Sequence, residues 1–243
     1  MTINRIWAAA GAVALLVAAG PAVRAQQLSD EAKRVQESAT VFGEIMSAED
    51  QAIPRSIMDK AAGIAIFPNT VRAGFIIGGM RGRGIISARD GASWSAPAFM
   101  TLTGGSIGLQ IGGQAADLVL VIIDPRGLET LVSNQFKLGV DAAVAAGPVG
   151  RDAQAATDLQ LRAQILSYSR SRGLFAGVTV NGSTIRQDRD ANQRFYGTPL
   201  DTKQIIFGPA PGSPAPVPGS PGPAPGSPGP VPAWIEALQK YAQ

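Results

Sequence analysis

Residues 63–90 read GIAIFPNTVRAGFIIGGMRGRGIISARD. β-Branched and apolar residues come there in short runs broken by glycine, the texture of strands and turns rather than of helices. Runs at 63–67, 73–78 and 84–88 are read as strands. The same texture recurs at 99–103, 106–111 and 118–123, and again at 139–145, 161–169 and 173–180. Strand follows strand with few helical periods between, which favours antiparallel pairing. The expected class is α+β: an antiparallel β-rich sandwich or partly closed barrel with an N-terminal amphipathic helix and peripheral helices. No βαβ alternation is present, which argues against a parallel nucleotide-binding sheet.

Helical signals surround this region. Leu28, Ala32, Val35, Ala39, Phe42 and Met46 step by four and three, the spacing of one helix face, with Ser29 or Asp30 as the cap. Pro54 suits the start of a short second helix. A helical turn is expected after Pro125 through Leu128, Leu131 and Val132, a further helix over 190–195, and another turn at 204–207.

The two ends differ from this body. Residues 1–25 combine Arg5, a 15-residue apolar run at 6–20 and the ending Val23-Arg24-Ala25. That is the pattern of a secretory signal peptide cleaved after Ala25. The rival reading, an uncleaved anchor, needs about 20 apolar residues. An exported chain without cysteine points to a bacterial periplasm. The body is taken as 26–207. Residues 208–232 contain eleven Pro and six Gly with Pro-Gly-Ser-Pro three times over, the composition of a solvated linker. In 233–243, Trp234, Ile235, Leu238 and Tyr241 share a helix face. This short segment is expected either to dock, with a protein partner as one candidate, or to fray.

The 243 residues include no cysteine and no histidine. Disulfides, thiol nucleophiles, Cys- or His-ligated metals and a Ser-His-Asp triad are therefore excluded. Gly104-Gly105-Ser106-Ile107-Gly108 matches a nucleophile elbow in form, but no histidine can take the serine proton; it is read as a hairpin turn. Gly78 to Gly84 imitates a phosphate loop without its lysine or following helix, and is read as a hairpin between two strands. Asn181-Gly182-Ser183 is read as a turn. Asp188 and Asp190, among Arg186, Arg189 and Arg194, are read as a local salt-bridge network. No catalytic residue, metal ligand or cofactor is nominated.

Charge is more informative. Loss of 1–25 removes two arginines and lowers the formal net charge from +3 to +1, too little to suggest nucleic acid. Residues 26–50 hold six acids against two bases, a net −4 that opposes an anionic bilayer. Arg72, Arg81, Arg83 and Arg89 cluster around one hairpin. Arg81 and Arg83, two apart, share a strand face, as do Arg170 and Arg172. Arginine forks suit phosphate oxygens; solvated hairpin ends are the plainer alternative.

Five stretches, AAGIAIFP (61–68), GRGIISARDGASWSAPAF (82–99), GLQIGGQAADLVLVI (108–122), KLGVDAAVAAGPVGR (137–151) and YSRSRGLFAGVTVNGS (168–183), with Phe195-Tyr196-Gly197, resemble the SYLF domain. The resemblance covers about 54–207. It implies phospholipid binding, phosphoinositides in eukaryotic members, and no enzymatic activity. Members also use an N-terminal amphipathic helix at membranes; the −4 charge here shifts that role to Arg81, Arg83, Arg170 and Arg172. Eukaryotic members often add SH3 or FYVE modules. Neither is read in this sequence, and actin regulation is not carried over. The expected function is non-enzymatic phospholipid binding in the bacterial envelope through Arg-rich hairpins. The alternative is an envelope scaffold docking a partner through its C-terminal segment.

Overall fold

The computed structural model describes residues 28–48, 52–74, 77–107, 114–133, 135–149, 162–171, 174–209 and 229–241. The expected signal peptide, Arg172 and most of the Pro/Gly-rich segment lie outside the described residues.

The strands are β1 (Gly63–Gly74), β2 (Ile77–Asp90), β3 (Ser93–Trp94), β4 (Ala98–Ile107), β5 (Gln114–Ile122), β6 (Gln135–Lys137), β7 (Val144–Ala146), β8 (Ile165–Ser171), β9 (Leu174–Gly177) and β10 (Thr184–Gln187). They form one sheet in the order β6-β10-β4-β2-β1-β5-β8-β7, with β3 added to β2 and β9 to β8. Every pair is antiparallel except β7 with β8. The sheet curls into a half-barrel, the partly closed form of the expected α+β class.

The helices are α1 (Asp30–Ser47), α2 (Arg55–Met58), α3 (Pro125–Leu131), α4 (Arg189–Tyr196), α5 (Thr202–Phe207) and α6 (Pro230–Tyr241). Paired residues share a face of the sheet, so the register sorts the core into two layers. Ile64, Ile66, Ile85, Ser87, Phe99, Val119 and Tyr168 face α1, α4 and α6. Ala65, Phe67, Ile86, Met100, Leu118 and Leu120 face α3 and α5, where the Thr202 hydroxyl lies 3.5 Å from Met100 Sδ. Helices thus take the place of a second sheet. Burial on both faces explains why 63–67 and 118–122 are almost wholly apolar instead of alternating.

Several local expectations are corrected. Gly78 to Gly84 is not a turn but the first half of β2, and Gly104 to Ile107 is the end of β4. Residues 139–145 are not one strand: β6 ends at Lys137, the chain turns through Gly139 at φ 80°, and β7 begins at Val144. Strands of 14 and 10 residues form because Gly82 and Gly84 sit where a Cβ has no room. A Cβ on Gly84 would lie 2.1 Å from the Ile66 carbonyl and 2.6 Å from the Phe67 ring. The glycines that suggested a phosphate loop are there to let β2 pass Phe67 and Thr70.

The C-terminal segment begins as a helix at Pro230, earlier than 233, because proline is tolerated in a first helical turn. It docks on the body of its own chain. Trp234 and Leu238 are fully buried, and the indole Nε1–H donates to Ser87 Oγ at 2.8 Å. Phe42 on α1 meets Trp234 and Tyr241 edge-on, at 6.0 and 5.9 Å between ring centroids. Of the two outcomes expected for this segment, docking or fraying, the structure shows docking, with Trp234 and Leu238 packed against their own domain.

Candidate functional site

The site grows from a kink in β1. Register shifts between Ile66 and Val71 push Pro68-Asn69 out of the ladder, with Asn69 at φ 49°. Asparagine tolerates this left-handed conformation better than most side chains. Two bonds hold the bulge: Asn69 N–H donates to Asp117 Oδ1 at 2.9 Å, and Thr70 Oγ1 donates to the Phe67 carbonyl at 3.0 Å. The bulge rises against α1 and forms a ridge between two clefts. Pro68, Asn69, Lys33 and Glu37 line both.

The first cleft, about 390 Å³, adds Asp30, Arg34, Arg81 and Arg83. Arg81 and Arg83 are exposed on the helix-bearing face of β2, and among the described residues neither has an ion-pair partner. Arg34 is only 7% exposed, with Nη1 at 3.5 Å from Asp188 Oδ2 and its guanidinium 5.3 Å from the Phe99 ring centroid. Among the described residues its Nη1 has no hydrogen-bond partner. Burial lowers the Arg34 pKa; Asp188 and Glu31 push it back up, and Arg83 and Arg194 lower it further. Four cations line the cleft, but Lys33 lies 3.7 Å from Asp30 and Arg34 faces Asp188, so Arg81 and Arg83 are the pair left without an ion-pair partner among the described residues.

The second cleft, about 370 Å³, contains Arg170, Asp117 and Glu44. Arg170 Nε and Nη2 donate to Asp117 Oδ2 at 2.9 and 2.8 Å, and Nη1 pairs with Glu44 of α1. Burial pushes the Asp117 carboxyl upward while the Asn69 N–H opposes it; burial lowers Arg170. Tyr168, the next helix-facing residue of β8, is fully buried and stacked on Phe175 at 5.2 Å.

The predicted arginines thus separate. Arg81 and Arg83 stand together and open to solvent, Arg170 is committed to two carboxylates one cleft away, and Arg172 lies outside the described residues. Arg89, from the same hairpin cluster, donates to the Ala61 and Met58 carbonyls and stacks over Trp94. The excess acid of α1 also has a use: Glu44 meets Arg170, and Glu31 accepts from Arg194 Nε at 2.8 Å. Asp188 caps α4 and reaches Arg34 on α1, so a long-range partner joins the local charges, where Asp188 and Asp190 act on Arg194. Sequence reasoning passed over Lys33, Arg34 and Asp117. The one signal for Asp117 was a lone acid heading the apolar run 118–122.

The fold that carries these cation-lined clefts is a mixed α and β domain with a helix-covered half-barrel sheet. A family model described as Ysc84, Las17-binding protein actin regulator, matches residues 103–220. Human SH3 domain-containing YSC84-like protein 1 is 35% identical over 189 residues, covering 76% of this chain and 55% of the relative. Protein YSC84 of Saccharomyces cerevisiae is 37% identical over 171 residues, 68% of this chain and 36% of the relative. LAS seventeen-binding protein 3, from the same yeast, is 38% identical over 164 residues, 65% and 35% respectively. The chain belongs to the Ysc84 (SYLF) domain family. It spans about half the length of the human relative and about a third of the yeast ones.

Proposed function

We propose that the protein is a non-enzymatic phospholipid-binding module of a bacterial envelope, exported by cleavage after Ala25 and peripheral on a membrane in the periplasm. Head-group phosphates meet Arg81 and Arg83 at the mouth of the first cleft, with Lys33 beside them. The observation that carries this reading is the pair itself: two exposed arginines on one strand face, without ion-pair partners among the described residues, over a cleft that also holds Arg34. Guanidinium forks favour phosphate oxygens. Arg170 contributes less, because Asp117 and Glu44 already answer its charge. The apolar face of α1 is buried on the sheet and under α6, so α1 is not the membrane-contacting element in this reading.

Co-sedimentation of residues 26–243 with anionic and zwitterionic liposomes at two salt concentrations tests it. Binding is expected on anionic vesicles and weaker in high salt. Each basic residue near such a surface contributes about 1 kcal/mol, so Arg81→Ala with Arg83→Ala lowers affinity by about ten- to thirtyfold. Absence of binding to every mixture overturns the proposal. Salt-insensitive binding that survives both substitutions moves the ligand from the arginines to an apolar pocket.

A second reading keeps a protein partner in view, since relatives are named as Las17-binding proteins. A scaffold working through Trp234–Tyr241 would first have to release that segment from Ser87 and Phe42.

A further inference from the structure

The surface beneath α6 is built like a peptide-recognition groove. It runs between α1 and the β2–β3 edge. At its floor lies Ser87, a fully buried hydroxyl near the end of β2 among the buried Ile85, Ile86 and Ala88; Phe42 forms one wall, and Ser93 stands at the far end. The helix in it presents Trp234, Leu238 and Tyr241 at positions i, i+4 and i+7. That is how an amphipathic helix lies in a hydrophobic groove. Recognition is specific as well as apolar: Trp234 Nε1 donates to Ser87 Oγ at 2.8 Å, and Gln239 Nε2 donates to Ser93 Oγ at 3.1 Å. A buried indole with its N–H satisfied at the base of a pocket is the usual anchor of a protein interface.

The occupant is a separate piece of chain. Twelve residues are marginal as a free helix, so α6 draws its order from the groove. It rests on α1 and β3, and α5, the preceding described element, packs on the opposite face of the sheet. We infer that the groove is a recognition site for short amphipathic helices of the pattern Trp-x-x-x-Leu-x-x-Tyr, and that α6 is its resident, displaceable ligand. A partner helix of that chemistry competes with a tethered one, whose effective concentration is in the millimolar range. The tether sets a threshold: a partner evicts α6 only when its concentration divided by its Kd exceeds the effective concentration of α6 divided by the Kd of α6 for the groove. Eviction uncovers Phe42 and Ser87 and frees the C-terminal segment at the same moment.

A fluorescent synthetic peptide of residues 229–243 is the probe, read by anisotropy. It should bind the full chain carrying Trp234→Ala and Leu238→Ala at least about tenfold more tightly than the unmodified chain, whose groove is filled. The same peptide with Trp234→Ala should not bind. Equal binding to both chains, or none to an emptied chain that keeps its circular dichroism spectrum, overturns the inference. A second preparation covers an emptied chain that fails to fold. A protease site placed within 210–228 of the otherwise unmodified full chain is cut after purification. The severed α6 should then exchange for the labelled peptide during gel filtration, and a cut chain that takes up no label overturns it equally.

Discussion

At Gly84 the backbone of β2 runs against the Ile66 carbonyl and the Phe67 ring, leaving no room for a methyl group. Gly84→Ala should cost about 1–3 kcal/mol or more, the range for overpacking a filled core. Chemical denaturation would show it as a lower midpoint at unchanged slope. Gly79→Ala on the same strand is the control, since nothing lies within 4 Å of its Cβ position. Asp124 offers a residue-scale test of pH. Its carboxylate accepts from Gln164 Nε2 and the Arg126 N–H, which hold its pKa below the ordinary 3.8. A depressed pKa means the stabilisation is present above about pH 3.8 and lost as pH falls through the folded value. Asp124→Asn should therefore flatten part of the acid limb in a plot of stability against pH. The glycines were visible in the sequence as a loop-like run; their role was not, because it depends on Phe67 reaching across from another strand.

Elements are joined by ion pairs as much as by packing. Helix α1 buries Ala32, Val35 and Phe42 of the expected apolar line and half-buries Ala39 and Met46, but its inner face also takes in Glu31, Arg34 and Ser38, while Leu28 at the head of the line is exposed. Periodicity reports only apolar side chains, and polar ones enter a core when partners wait there. Those partners are Arg194 for Glu31 and Asp188 for Arg34. Across the second cleft, Arg170→Ala would leave Asp117 buried without its guanidinium, a loss of about 1–3 kcal/mol. Arg170→Leu combined with Asp117→Asn should recover most of that loss. A double-mutant cycle read by thermal unfolding measures the coupling.

For the molecule as a whole, α6 closes the helix-bearing layer. Truncation after residue 209 should uncover Phe42 and Ser87, raise binding of a hydrophobic dye, and speed hydrogen exchange in the second half of α1. Trp234→Ala removes about 3–5 kcal/mol of packing at that contact, and hydrogen exchange over 230–241 should lose its protection first. The tail's helical face was legible as Trp234, Ile235, Leu238 and Tyr241; its address was not. Nothing in eleven residues says whether the matching groove belongs to another protein or to the strand 147 residues upstream that carries Ser87.

Composition and local period were enough for the α+β class, the helix through Leu28 to Met46, the presence of strands within 63–90 and the exclusion of thiol and imidazole chemistry. These follow from residue types and from neighbours a few positions apart. The separation of the arginines into an open pair and a paired one needed the folded chain. So did the bulge at Pro68-Asn69 and the docking of α6. Each rests on contacts between residues 48 to 147 positions apart. A single chain's periodicity holds no record of such distances, because loop closure brings the partners together only when the sheet forms.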